Sequence, residues 1–234
     1  MLLLCLAITP ARKIFGLNEL ISVRRMIGVT GLVYALAHVA MYFGLDNYDL
    51  SRVAVEVRGQ STLWIATAAT LALLALGVTS FDGAIRAMGT KAWNHLHDLV
   101  YPAVGLGLLH FDMSPGAVGG LPFVMAGLFL WLIGWRVLDR VDRGARPMWL
   151  VVLALSAAVS TFGFEAGWLA LYQAIAVTLT ATFTFSLVSG LPETWQVLVA
   201  GLAVAALAAV FGVRTPTRLF LHAHTHSALA SRPP

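Results

Sequence analysis

Long apolar runs separated by short polar clusters dominate the chain. Crossing a bilayer core takes about 20 helical residues. Stretches near 26–44, 61–80, 96–112, 118–138, 148–164, 167–189 and 194–213 meet that demand. The pattern predicts an all-α fold, a polytopic transmembrane helix bundle of about seven spans. Residues 1–9, MLLLCLAIT, are apolar but too short to cross. No basic cluster precedes them, and Arg12 and Lys13 follow, which is the wrong flank for a secretory signal. They are expected to form the inner end of a span whose start lies outside this chain.

Composition agrees: 59% of the 234 residues are apolar and 11% are charged. Soluble domains run at roughly 45–50% and about 25%. The formal charge is only +4, and the basic residues sit in short clusters. Such clusters orient a chain in membrane lipid and do not suggest nucleic acid as a partner. The single cysteine, Cys5, excludes an internal disulfide framework and a cysteine metal cluster.

The clusters alternate in position. Arg12, Lys13, Arg24 and Arg25 share one loop region, Arg86 and Lys91 the next on that side, and Arg136, Arg140, Arg143 and Arg146 a third. The segment 45–60 balances Arg52 and Arg58 against Asp46, Asp49 and Glu56, and the segment 112–117 has no basic residue. The basic side is therefore expected to face the cytoplasm. Beyond residue 146 the rule loses force, and it would leave a tail with Arg214, Arg218 and HAHTH outside if all later spans cross.

Histidines then become informative. His38 lies toward the outer end of the span 26–44, and in the span 96–112 His97 lies near the inner face and His110 near the outer one. At 1.5 Å per residue, His97 and His110 differ in depth by about 20 Å. His38 and His110 can share a level on two helices, and His97 cannot. Ionisable residues inside a span are costly and usually functional, and imidazole is a common axial ligand of haem iron. Two histidines facing across a bundle can clamp one haem. The plainer reading is an interhelical hydrogen bond. Helical phase alone would set His95, not His97, beside His110, with Pro102 expected to kink the helix between them.

LISVRRMIGVTGLVYALAHVAMYFG, followed by LALGVTSFDGAIRAMGTKAWNHLHDLVYPAVGLGLLH, resembles the ferric-reductase-like transmembrane family. Within that family it is most similar to the haem-binding subunits of protein-methionine-sulfoxide reductase systems. The resemblance covers about residues 2–112 well and 118–140 loosely. It implies a haem-binding domain over 1–140, with haem b held between helices. His38, His97 and His110 fall on the family's haem-ligand positions, as axial ligands of the iron. Arg24 and Arg25 fill its paired-arginine position, tied to a flavin or to haem propionates; plain cytoplasmic anchoring is the alternative.

Two-haem relatives carry paired histidines in each of two helices. Arg24 lies fourteen residues before His38, on roughly the same face and about 21 Å deeper. One outer haem between His38 and His110 is expected, with an inner site of His97, Arg24 and Arg25 holding a second haem or FMN. The resemblance further implies an electron-transfer subunit of the bacterial inner membrane. Its donor would be a cytoplasmic flavin reductase or quinone, and its acceptor a periplasmic molybdenum-containing reductase. A stand-alone ferric or quinone reductase, a histidine-containing transporter and a structural scaffold are the competing readings.

Residues 147–213 add apolar helices beyond the family pattern, and 214–234 form a histidine-containing tail expected to be flexible. Glu165 is expected in a short outer turn, EAG. Asp98 reads as a helix-start acid, and Asp112 as a solvent-exposed residue just past His110. Tyr34, Tyr42 and Tyr101, with Trp64, Trp93, Trp131, Trp135 and Trp149, are expected mostly in interface belts.

Overall fold

The computed structural model describes residues 1–45, 47–114, 121–176 and 191–212. Among them are ten helices: α1 (Leu2–Phe15), α2 (Leu20–Leu45), α3 (Leu50–Gly59), α4 (Ser61–Val78), α5 (Asp82–Met88), α6 (Thr90–His97), α7 (Val100–Met113), α8 (Leu121–Arg140), α9 (Pro147–Ala176) and α10 (Leu191–Phe211). Five are long and apolar enough to cross a membrane: Leu20–Leu45, Ser61–Val78, Leu121–Arg140, Pro147–Gly167 and Thr194–Phe211. The chain is a multi-pass helical membrane protein.

α1 and α2 form a tight antiparallel pair. Gly16 ends α1 in the left-handed conformation (φ 72°), and its N–H returns to the carbonyl of Arg12. Leu2 packs on Gly31 and Cys5 on Gly28. These glycines let the two backbones approach, the usual device where lipid supplies no hydrophobic drive between helices. α4 lies antiparallel to both α2 and α7, with Leu32 seated on Gly77. Leu73, Leu76 and Ala103 form the small core shared by α2, α4 and α7, with Ala35 and Val100 packed against it.

The expected span 96–112 is not one helix. α6 ends at His97 and α7 begins at Val100. Pro102 has no N–H and its ring excludes the carbonyl four residues back, that of Asp98. The ladder shifts there to three-residue steps, Leu99 N–H to Leu96 O and Tyr101 N–H to Asp98 O. The break thus lies one turn before the proline.

The C-terminal helices dock on α8. Trp135, Leu150 and Val197 are fully buried in a core that continues into Leu6 and Ile14 of α1. Two expectations fail here. α9 runs unbroken through Glu165, so no EAG turn interrupts it, and Glu165 is buried at 6% exposure. Trp131 and Trp135 are buried between helices, at 6% and 1%, and belong to no interface belt. Most of the expected span 167–189, and the tail with its HAHTH motif, lie outside the described residues. The segment 45–60 contains the unforeseen helix α3, capped by the Asp49 carboxylate accepting from the N–H groups of Ser51 and Arg52.

Candidate functional site

The histidines sort into two levels around the Leu73–Leu76–Ala103 core. His110 lies seven residues outward of Ala103, about 10 Å along α7. His38 lies three residues outward of Ala35, about 5 Å along α2. His97 lies six residues to the inner side of Ala103.

His110 is half-buried, and its Nδ1 lies 3.2 Å from the carbonyl oxygen of Thr62 at the start of α4. A carbonyl only accepts, so Nδ1 carries the proton and Nε2 keeps its lone pair. That is how a histidine is prepared as a metal ligand, with one nitrogen tied to a carbonyl and the other free. The donor chemistry at this position fits a haem iron. His38 is exposed, seven residues from Gly31 and so on the same face of α2. α1 covers that face at Gly31. No hydrogen bond or ring contact joins His38 to His110.

His97 stands in a different setting. Its ring stacks on Trp93, with centroids 3.8 Å apart. Its Nε2 lies 3.2 Å from Thr79 Oγ1. The Thr79 hydroxyl proton points to the Ala75 carbonyl at 2.7 Å, so the imidazole donates to the hydroxyl. Trp93 Nε1–H donates to the Thr79 carbonyl at 2.8 Å, which fixes both rings against the end of α4.

Arg24, Arg25 and His97 line one cleft of about 460 Å³ at the inner level. That volume lies within the usual range for small-molecule sites. Its floor is apolar, with Leu32, Leu73, Leu76 and Val100. Arg25 Nη1 is committed to Asp82 Oδ1 at 2.6 Å. This hydrogen bond holds the Asp82 carboxyl below its ordinary value. His95 is exposed and does not line the cleft.

Sequence reasoning missed three contributors. Arg136 on α8 reads in the sequence only as a topological charge, yet it lines this cleft with its guanidinium 4.9 Å from the centre of the Tyr101 ring. Thr62, the hydrogen-bond partner of His110, carries no signal of its own in a greasy span, and the TS pair at 79–80 belongs to the family resemblance without revealing that Thr79 holds His97. Asp112 is also not the exposed acid expected. Its Oδ2 is buried without a hydrogen bond, beside an apolar gap between α7, α8 and α9.

A family model described as "Ferric reductase like transmembrane component" matches residues 1–108. Among curated proteins, the "Protein-methionine-sulfoxide reductase heme-binding subunit MsrQ" of Azospira oryzae is 34% identical over 142 residues, 60% of this chain and 61% of that protein. The subunit of the same name from Rhodospirillum rubrum is 36% identical over 143 residues, 61% of this chain and 69% of the relative. That of Polaromonas naphthalenivorans is 36% identical over 144 residues, 60% of this chain and 66% of the relative. The chain thus spans about two thirds or less of the length of most of these relatives. No solved structure matches. At 36% identity to a relative of which it covers 69%, and with the family model matching residues 1–108, the chain belongs to the ferric-reductase-like transmembrane family, among its MsrQ-type members.

Proposed function

We propose that the chain is a haem-carrying electron-transfer subunit of a multi-component oxidoreductase in the bacterial inner membrane. It passes electrons from a cytoplasmic flavin reductase or quinone to a periplasmic, molybdenum-containing reductase that repairs methionine sulfoxide. The observation that carries this reading is the His110 imidazole, whose Nδ1–H is held by the Thr62 carbonyl and whose Nε2 is left to bind iron. The names of the relatives, heme-binding subunits of a methionine sulfoxide reductase, support the same role.

His38 on α2 and His110 on α7 would hold the outer haem b from two helices. When bound, that haem supplies a one-electron carrier in the low-dielectric span. Arg24, Arg25 and His97 would hold a second haem or FMN at the inner level. Arginine suits this place because its planar fork pairs with carboxylate or phosphate. The separation of the two levels, about 20 Å along α6 and α7, lets two centres cover most of a bilayer core of about 30 Å.

Vesicles containing the purified, haem-loaded chain, with reduced FMN inside and ferricyanide outside, test the function. Ferricyanide is expected to be reduced only when the chain is present, and not with His110→Ala. Haem-loaded vesicles that transfer no electrons would overturn the reading.

A further inference from the structure

We propose that Arg136, on the helix beyond the paired arginines, anchors the anionic arm of the ligand in the inner cleft. The proposal rests on the reading of that cleft as a cofactor site and assigns the residue that holds the cofactor's charge. Three guanidinium groups line the cleft, Arg24, Arg25 and Arg136, against one acid, Asp98. They are not equivalent. Arg25 already binds Asp82 at 2.6 Å, on the exposed inner surface. Arg136 makes no salt bridge among the described residues, and Asp98 and Asp139 act on it only at longer range. Its contacts are the Tyr101 ring and, at 3.4 Å, the Leu6 carbonyl. It is half-buried one turn inside the end of α8.

A guanidinium in that position is expensive unless an anion meets it. The Tyr101 face supports its plane through a cation–π contact and leaves its edge for a bidentate partner. The stacked rings of Trp93 and His97 and the apolar side chains of Leu32, Leu73, Leu76 and Val100 line the same cleft. Such a cleft suits a flat conjugated ring bearing a carboxylate or phosphate. FMN phosphate and a haem propionate share that chemistry. Arg136 lies beyond residues 1–108, so the helix that completes the site stands outside the segment matched by the family model.

The test compares wild type, Arg136→Gln, Arg136→Lys and Arg140→Gln in detergent. FMN affinity is read from quenching of flavin fluorescence, and haem per chain from the visible spectrum. Arg140 is exposed and does not line the cleft, so its variant controls for lost charge alone. Arg136→Gln is expected to weaken the bound ligand by about tenfold or more, with partial recovery in Arg136→Lys and no change in Arg140→Gln. Loss of FMN affinity at constant haem identifies the phosphate as the arm. Loss of one haem per chain identifies the propionate. A retained outer-haem spectrum shows that the variant is folded. Arg136→Gln binding both ligands as wild type does would overturn the assignment alone. A wild-type protein that binds neither FMN nor a second haem would overturn the cofactor reading of the cleft and this proposal with it.

Discussion

His97 donates its Nε2–H to the hydroxyl of Thr79, 3.2 Å away, while the same threonine's carbonyl receives the Trp93 indole N–H. One residue at the end of α4 therefore fixes the tautomer of His97 and the plane on which it stacks. In this arrangement the lone pair of His97 is on Nδ1. Binding iron through Nε2 at the inner level requires the Thr79 contact to open. His110 is already turned the other way, with Nδ1 satisfied and Nε2 free.

Thr79→Val removes the acceptor without removing bulk. It is expected to loosen the inner histidine and leave the outer one alone. Haem retained on the His38–His110 pair should stay at the wild-type level, while any signal from the inner site shifts. Electron paramagnetic resonance of the oxidised protein reads the two sites separately. An unchanged inner signal with a changed outer one would contradict the assignment of Thr79 to His97.

The packing of α9 and α10 against α8 depends on glycine. A Cβ at Gly127 would collide with the Thr161 hydroxyl and a methyl of Val197. Neither neighbour has room to retreat, because Thr161 is 1% exposed and Val197 is fully buried. Gly127→Val is expected to destabilise the protein by about 1–3 kcal/mol, the usual cost of overpacking a core. A lower midpoint of thermal unfolding in detergent, followed by tryptophan fluorescence, would register it. An unchanged midpoint would mean that the C-terminal helices do not pack as described.

Asp82 gives a pH signature at the inner surface. Its hydrogen bond to Arg25 lowers the folded-state carboxyl below the ordinary value of 3.8. The pair therefore adds stability above the unfolded value, and that contribution is lost as pH falls through the lower folded value. Asp82→Asn should be less stable than wild type at neutral pH and match it once the carboxyl is protonated below that window. The group is fully exposed, so the difference should be small and fade in high salt. Thermal midpoints at neutral and strongly acid pH, in low and high salt, measure it. A deficit that persists below the folded-state value would mean that Asp82 acts otherwise than through its charge.

Much of this was legible in the residues, for physical reasons. α4 stands where an apolar run of bilayer length begins and ends, and α2 begins only six residues before the run expected. The inner grouping of Arg24, Arg25 and His97 is what the family resemblance implies, helical rise adding only the depth of Arg24 below His38, and the three side chains do line one cleft. What escaped was set by contacts between helices. Trp135 and Trp131 carry the composition of an interface belt, but packing by α9 and α10 buries them. Glu165 looked like a turn acid because EAG contains a glycine and a charge, yet the helix runs on through it. Arg136 belongs by spacing to a cytoplasmic cluster, and only the crossing of α8 behind Tyr101 turns it into the cleft. α3 is ten residues long, too short for its periodicity to stand out in a charged segment.

The most direct test is a reduced-minus-oxidised visible spectrum of the purified protein from haem-replete cells, with haem counted per chain, for wild type, His38→Ala and His110→Ala. A haem clamped by both imidazoles predicts a b-type spectrum in wild type and loss of the outer haem in each variant. A colourless wild type, or variants that keep their full haem content, would contradict the account.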